Sequence, residues 1–258
     1  MTIQNTSVVH RVRRQRIKRA LVMAMAFVFI YIAGYTGFTL ANSSLFDIAT
    51  ITVKGNRTVS REEIIAISGA RIGANVLRLS RDHAGRSLMA HPYIQDAKVS
   101  WVFPNRVSIT VSERLPVALV RTEDRCLVLD GSGFCLTEEN SMPAAYEGLP
   151  LILGGVHAAA LKPGDQTKDK GILAALTLID RLDPFFMENI KAFDAPSGEK
   201  LAVINRDGLR VLFGLPEDLD RKLQNYEELL IKNAQRCNTD TLNYVDLRYD
   251  TQITLSWK

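Results

Sequence analysis

The chain has 258 residues, 47% of them hydrophobic and 23% charged, which suits one to three folded domains and excludes wholesale disorder. Its net charge of +4 is unevenly spread: residues 1–41 hold Arg11, Arg13, Arg14, Arg16, Lys18 and Arg19 and no Asp or Glu. Removing these six from the 32 cations leaves 26 against 28 anions, so the bulk of the protein has no excess positive charge for counterion release, and nucleic-acid binding is set aside.

The basic tail, residues 1–19, is followed by 22 uncharged residues, Ala20–Ala41. As a helix this segment reaches roughly 33 Å at about 1.5 Å per residue, enough for a hydrocarbon core of about 30 Å. Cation-rich flanks stay cytoplasmic, so the expected topology is single-pass with the N-terminus inside and everything from about Asn42 outside. A cleaved signal peptide is the competitor, with Thr39-Leu40-Ala41 as its cleavage site. The apolar region of such peptides is normally only about 7–15 residues. Ala33 and Gly37 form a small-xxx-small pair, a pattern found both at helix contacts and on lipid-facing surfaces.

After a short link through Phe46, Ile48–Val53 reads as a strand closing at Gly55-Asn56. Ser60-Arg61-Glu62-Glu63 is a capping box opening a short helix that Gly69 ends. A second helix is expected over Ser80–Ala90, with Leu88 and Met89 on its buried side, stopped by Pro92. Ile94–Val102 and Arg106–Glu113 read as strands joined by Phe103-Pro104-Asn105. Val107, Ile109 and Val111 alternate with Ser108, Thr110 and Ser112, the period of a half-buried sheet. Two helices on one face of three strands can enclose one core.

From Pro116 the pattern becomes β-rich. Strands are expected at Ala118–Arg121, Arg125–Leu129 and Gly133–Thr137, then a Pro/Gly-punctuated stretch through Pro163. A helix over Lys168–Leu182 is stopped by Asp183-Pro184, and strands follow at Ile190–Asp194, Leu201–Asn205 and Leu209–Phe213. Leu219–Gln235 is the clearest helix, with Leu223, Tyr226, Leu229 and Leu230 on one face. Two strands, Leu242–Tyr249 and Thr251–Trp257, end the chain. The fold class is therefore α+β: an N-terminal transmembrane helix, a β-α-α-β-β domain, then a β-rich domain with two helices.

Cys126 and Cys135 flank a hairpin and Cys237 lies far downstream. A two-residue turn at Asp130-Gly131 sets the two sulfurs face to face for a disulfide. A longer turn over Asp130–Gly133 puts them out of register as buried free thiols. Both readings stay open. The common phosphate-loop, dinucleotide, zinc and nucleophile-elbow motifs are absent from the sequence. His83 and His91 are eight apart without further ligands, and Glu62-Glu63 and Glu138-Glu139 read as solvated charge. Hence no catalytic residues, metal, cofactor or small-molecule substrate are expected. The informative feature is the last strand, where Ile253, Leu255 and Trp257 project to one side. A strand that finishes a chain often forms a sheet edge able to accept another chain's strand. Trp257 and Tyr249 are then either partner anchors or rings capping the core.

Three segments resemble the bacterial cell-division family FtsQ/DivIB. Val53-Lys54-Gly55-Asn56-Arg57-Thr58-Val59-Ser60-Arg61-Glu62-Glu63-Ile64 resembles the opening of a POTRA domain. His91 to Val99, continuing through Phe103-Pro104-Asn105-Arg106-Val107 to Glu113-Arg114-Leu115-Pro116-Val117-Ala118, resembles its closing hairpin. Tyr244-Val245-Asp246-Leu247-Arg248-Tyr249, followed by Trp257, resembles the family's C-terminal β-domain. The resemblance implies a POTRA domain over residues 46–116 and a β-domain over 117–258. It also implies a non-enzymatic scaffold of the division machinery, in the inner membrane at the septum, that binds FtsB/FtsL-type coiled-coil partners through the β-domain edge. By position, Arg248, Tyr249, Thr251 and Trp257 would line that site, with Ile253 and Leu255 on the same strand. Other septal proteins would meet the POTRA module. The alternative is a POTRA-bearing envelope assembly or secretion factor, disfavoured because the chain lacks a series of alternating barrel strands.

Overall fold

The computed structural model describes residues 6–122, 124–142, 144–155, 158–197, 199–215, 217–233, 242–248 and 254–257. The helix α1, Thr6–Ala41, takes in part of the basic tail as well as the apolar segment, of which Leu21–Ala41 is long and apolar enough to cross a membrane. Its side chains from Leu21 to Leu40 are exposed, as expected of a helix whose apolar surface meets no protein. Thr36 and Thr39 return their hydroxyls to the carbonyls of Ile32 and Tyr35 at 2.7 and 3.0 Å, so neither leaves an unmet donor on that surface.

By internal contacts the chain divides into two compact units. The first comprises Met1–Lys54, Arg61–Gly85 and Lys98–Thr110, and the second Gly55–Ser60, Arg86–Ala97 and Val111–Lys258. The elements after α1 run β1 (Thr50–Lys54), α2 (Arg61–Ser68), α3 (Arg81–Met89), β2 (Ile94–Val102) and β3 (Arg106–Glu113). This is the expected strand, helix, helix, strand, strand order. The sheet order is β1-β3-β2, with β1 parallel to β3 from Thr50↔Arg106 to Lys54↔Thr110. Val107, Ile109 and Val111 are buried, as their alternation predicts. In α3 the buried stripe is Ala84 and Leu88, four apart; Met89 is 43% exposed. A residue next to a buried position lies about 100° round the helix, which is why Met89 does not share the side of Leu88.

Two contacts in the second unit fasten the 55–60 segment. Gly55 has φ +87, and a Cβ there would sit 2.0 Å from the Val111 carbonyl oxygen, so only glycine fits. The Glu113 carboxylate accepts the N–H groups of Arg57, Thr58 and Val59 at 2.9, 2.7 and 3.1 Å. Burial alone would raise its pKa; the backbone donors outweigh that and hold it below the usual glutamate value.

The second unit carries a nine-stranded sheet. After β3 come β4 (Pro116–Arg121), β5 (Cys126–Asp130), β6 (Cys135–Glu139), β7 (Leu151–Leu153), α4 (Lys170–Arg181), α5 (Pro184–Met187), β8 (Ile190–Asp194), β9 (Leu201–Asn205), β10 (Arg210–Gly214), α6 (Leu219–Asn233), β11 (Leu242–Asp246) and β12 (Thr254–Trp257). The spatial order is β12-β11-β10-β9-β8-β7-β4-β5-β6. Ile172, Leu176 and Tyr226 of the helices, with Phe193, Val211 and Phe213 of the strands, belong to the main core. A smaller cluster of Leu119, Cys126, Val128 and Leu136 packs against Tyr93 and Tyr146. Every residue of β5 is consequently buried, which explains its unbroken apolar run.

Three expectations are corrected in detail, and one open alternative is decided. The Pro/Gly-punctuated stretch contains β7, a three-residue strand between parallel β4 and β8. Helix α4 begins at Lys170 because Asp169 is its N-cap, accepting from Gly171 and Ile172 N–H at 2.8 and 3.2 Å. Pro184 ends one helix and opens another short one, since a proline is tolerated at a first helical position. The β5–β6 turn is the longer form: Asp130 N–H donates to Phe134 O at 3.0 Å and Gly133 N–H to Asp130 O at 3.0 Å. Cys126 therefore registers with Glu139, and Cys135 with Leu129. The two thiols are free, buried, and in different clusters. Burial pushes Cys135 up to about 11 and raises Cys126 as well. Cys237 lies outside the described residues.

Because the Glu113 pKa is depressed in the folded state, its stabilisation is present above the ordinary glutamate value and lost as pH falls through the lowered one. Glu113→Ala should cost about 1.5–3 kcal/mol at neutral pH by leaving three backbone donors without their charged acceptor. Denaturant titrations of the two proteins should converge as pH falls through the depressed value; a pH-independent gap would refute the account.

Candidate functional site

The C-terminal end of the nine-stranded sheet is built by a crossover. β10 and β11 are parallel, Arg210↔Tyr244 to Leu212↔Asp246, and parallel neighbours need a long connection. Helix α6 is in that connection, placing Leu219, Leu223 and Tyr226 against the core. The Tyr226 hydroxyl accepts from Asn205 Nδ2 at 2.9 Å, and its ring meets Phe213 edge-on at 6.3 Å. Burial raises the Tyr226 pKa, so it stays a neutral phenol. β12 then turns antiparallel onto β11, with Leu242↔Trp257, Tyr244↔Ser256, Val245↔Leu255 and Asp246↔Thr254, and ends the sheet.

The two edges of this sheet differ. At the β6 edge, the chain itself returns: Cys135 N–H donates to Asp165 O at 2.8 Å, Gly164 N–H to Cys135 O at 2.9 Å, and Thr167 N–H to Gly133 O at 2.8 Å. That edge also carries Glu138 and Glu139, charges that discourage strand addition. Among the described residues no strand pairs with the outer side of β12.

Where β11 ends, over the end of β10, stands an ion pair. Arg248 donates its backbone N–H to Asp246 Oδ1 at 3.0 Å, and its guanidinium to the same carboxylate through Nε at 2.9 and 3.1 Å and Nη2 at 2.7 Å. Asp246 is buried while the Arg248 side chain is 46% exposed. The Arg248 hydrogen bonds hold the Asp246 carboxyl below its usual range against the opposing effect of burial. Gly214 makes room for this arrangement: its φ is +69, and a Cβ there would come within 2.9 Å of Arg248 Cγ. The stem is held over the end of β10, where Leu247 N–H donates to Leu212 O at 2.9 Å. Lys222 of α6 closes the floor, donating through Nζ to Phe213 O and Leu215 O, each at 2.9 Å. Glu199, Gly214, Glu217, Asp218, Lys222 and Arg248 line an open cleft of about 250 Å³ here.

Of the residues expected at the site, Arg248 lies two residues past the end of β11, its side chain against Gly214 of β10. Leu255 and Trp257 lie in β12, registered opposite Val245 and Leu242, and Val245 is fully buried. Tyr249, Thr251 and Ile253 lie outside the described residues. Sequence reasoning missed Asp246, Gly214 and Lys222 as supports for Arg248. Asp246 had a signal, since residues two apart on a strand share a face; a buried lysine donating to two carbonyls had none. Among the described residues no group of three or more His, Cys, Asp or Glu is placed to hold a metal ion.

Comparison with known proteins agrees with this architecture. Residues 46–114 match the model for the FtsQ-type POTRA domain. Residues 118–248, half of the chain, match the model for the C-terminal part of the cell-division protein FtsQ/DivIB. The chain belongs to the FtsQ/DivIB family. Cell division protein FtsQ of Syntrophotalea carbinolica is 28% identical over 241 residues, covering 90% of this chain and 82% of the relative. FtsQ of Geobacter sp. strain M21 is 28% identical over 231 residues, 85% of this chain and 81% of the relative. DivIB of Clostridium tetani is 22% identical over 197 residues, 74% and 72% respectively. FtsQ/DivIB proteins are division proteins that act through contacts with other proteins, and this chain carries their POTRA-type domain, their β-rich domain and an N-terminal apolar helix.

The FtsQ/DivIB edge described here should respond to loss of the arginine in a readable way. Arg248→Ala removes the dominant cause of the Asp246 shift, so the carboxyl pKa should rise toward or above the ordinary aspartate range. Carboxyl-carbon NMR titration of Asp246 in both proteins would measure it. An unmoved titration would mean that Arg248 does not hold the carboxylate.

Proposed function

We propose that this FtsQ/DivIB protein is a non-enzymatic scaffold of the division septum. Its apolar helix spans the inner membrane with the N-terminus in the cytoplasm, and a POTRA domain over residues 46–116 and a β-domain over 117–258 stand in the periplasm. Through the β12 edge it takes up a strand from an FtsB/FtsL-type coiled-coil partner, joining early and late division proteins. The observation that carries this reading is the position of β12 at the end of the sheet. At the opposite edge the chain's own residues 164–167 hydrogen bond to Gly133 and Cys135, and β6 bears two acids.

Strand addition supplies affinity through main-chain hydrogen bonds, and flanking side chains supply selectivity. Arg248 is one of the contacts assigned to this surface, and a pre-oriented guanidinium loses less freedom when it binds. Tyr249, Thr251, Ile253, Leu255 and Trp257 are the further contacts assigned to this edge. The POTRA domain meets other septal proteins.

Trp257→Ala should weaken binding to the periplasmic part of the coiled-coil partner by about 2 kcal/mol or more, roughly 30-fold in Kd. Calorimetry with both folded proteins measures this, and an unchanged Kd would remove Trp257 from the interface. In dividing cells an N-terminal fluorescent fusion should form a midcell band, and the Tyr249→Ala, Trp257→Ala double variant should leave the partner unrecruited. A uniform envelope signal from the wild-type fusion would turn the case toward an assembly or secretion factor.

A further inference from the structure

Every large apolar side chain that the first unit exposes outside α1 sits at one end of its sheet. These residues are Leu45, Ile72, Leu77, Val102 and Phe103, with Ile72 73% and Phe103 61% exposed. Leu45 belongs to the helical turn Ser44–Phe46, three residues past the end of α1. Ile72 adjoins Gly73, whose N–H donates to Ile48 O at 2.9 Å. Val102 ends β2 and Phe103 opens the β2–β3 turn, and Ala49 N–H donates to Asn105 O at 2.8 Å. All of these segments gather around the N-terminal end of β1, the end that receives the chain from α1. Phe46 meets Phe103 edge-on at 6.5 Å, Trp101 meets Phe103 at 5.9 Å, and the Arg81 guanidinium lies 4.4 Å over the Trp101 ring. Arg71, Arg78 and Arg106 stand exposed on the same segments.

The end of α1 is tied to this cluster. Asn75 Nδ2 donates to Ala41 O at 2.7 Å, and Arg78 Nη2 donates to Asn42 Oδ1 at 2.8 Å. Asn75 also caps the turn that presents Leu77, accepting from Leu77 N–H at 2.9 Å. Phe46 is five residues beyond Ala41, so a fully extended chain would carry it at most about 17 Å from the helix end. Aromatic rings, aliphatic side chains and arginines together are the chemistry of the membrane–water interface, where apolar bodies meet acyl chains and guanidiniums meet phosphates.

We propose that this end of the first unit is a membrane-interface anchor, with Leu45, Val102 and Phe103 dipping into the outer surface of the same bilayer that α1 crosses. The inference rests on the reading of Leu21–Ala41 as a membrane span; it is independent of the β12 edge. The occupant of the patch is the phospholipid headgroup and upper acyl-chain layer. Its function is to give the POTRA domain a second point of attachment that sets its tilt on the membrane.

The chain's two tryptophans, Trp101 and Trp257, make the test direct. Full-length Trp257→Phe protein retains Trp101 as its reporter, and full-length Trp101→Phe protein retains Trp257. Each is reconstituted into phosphatidylcholine–phosphatidylglycerol vesicles with acyl chains either plain or brominated near the headgroup. Trp101 emission should fall in brominated vesicles while Trp257 emission is unchanged, and adding Phe103→Ser and Leu45→Ser should restore the Trp101 signal. Both residues are exposed, so these changes leave the core intact. Equal Trp101 emission in plain and brominated vesicles, from protein that floats with them, would overturn the anchor while leaving the span in place. Equal quenching of both tryptophans would overturn it as well. Failure to float with the vesicles would overturn the span and the anchor together.

Discussion

Each strand in a sheet must find partners for two rows of backbone groups, and a sheet that does not close leaves one row unmet at each edge. In the nine-stranded sheet this requirement is met internally everywhere except at β6 and β12. The chain spends residues 164–167 on the first of these, returning to hydrogen bond with Gly133 and Cys135. It places the second at the end of a parallel crossover, where α6 covers the core but adds no strand beyond β12. Next to β11 the end of β10 is held by a buried lysine on two carbonyls, a glycine without a side chain, and an arginine fixed by a carboxylate two residues away.

Carboxylates do comparable work at three places in the second unit. Glu113 gathers three backbone donors from residues 57–59. Asp130 closes the β5–β6 turn through Ser132 and Phe134 N–H, at 2.9 and 2.8 Å, and takes Arg114 at 2.8 Å. Asp246 holds Arg248. In each case burial works against the charge and the donors outweigh it, so all three stay ionised well into the acid range. Glu113 and Arg114 are adjacent, and the arginine also lies 3.8 Å over the Phe134 ring. The Glu-Arg-Leu-Pro segment thus ties two different turns from consecutive positions, a structural reason for that dipeptide.

Long periodic elements were legible in the sequence. The β2–β3 hairpin falls where alternation and turn residues put it, because one face of β3 is buried and the other wetter, and β8 and β9 fall between their turn residues although β9 is almost wholly buried. The three-residue strand β7 was hidden, since two apolar partners in parallel pairing stabilise a run too short to show a period. The cysteine register turned on the length of the Asp130 turn, which is decided by the aspartate's own hydrogen bonds rather than by the Asp-Gly pair. At the site, Arg248 was reachable through resemblance and the edge position of the last strand through its place in the chain. The buried supports were not, because a lysine or glycine takes its role from neighbours brought together only by the crossover.

The junction after α1 shows how span and first unit are coupled. A helix end leaves four carbonyls without intrahelical partners, and in most helices water or a glycine turn satisfies them. Here Phe38 O receives both the N–H and the side-chain amide of Asn42, at 3.2 and 2.8 Å, and Ala41 O receives the amide of Asn75. The last donor comes from a residue 34 positions further along, inside the folded unit. A linker built for free rotation would be rich in glycine and serine and would hold no such long-range bond. The helix end is therefore joined to the first unit by a side-chain hydrogen bond as well as by the chain itself.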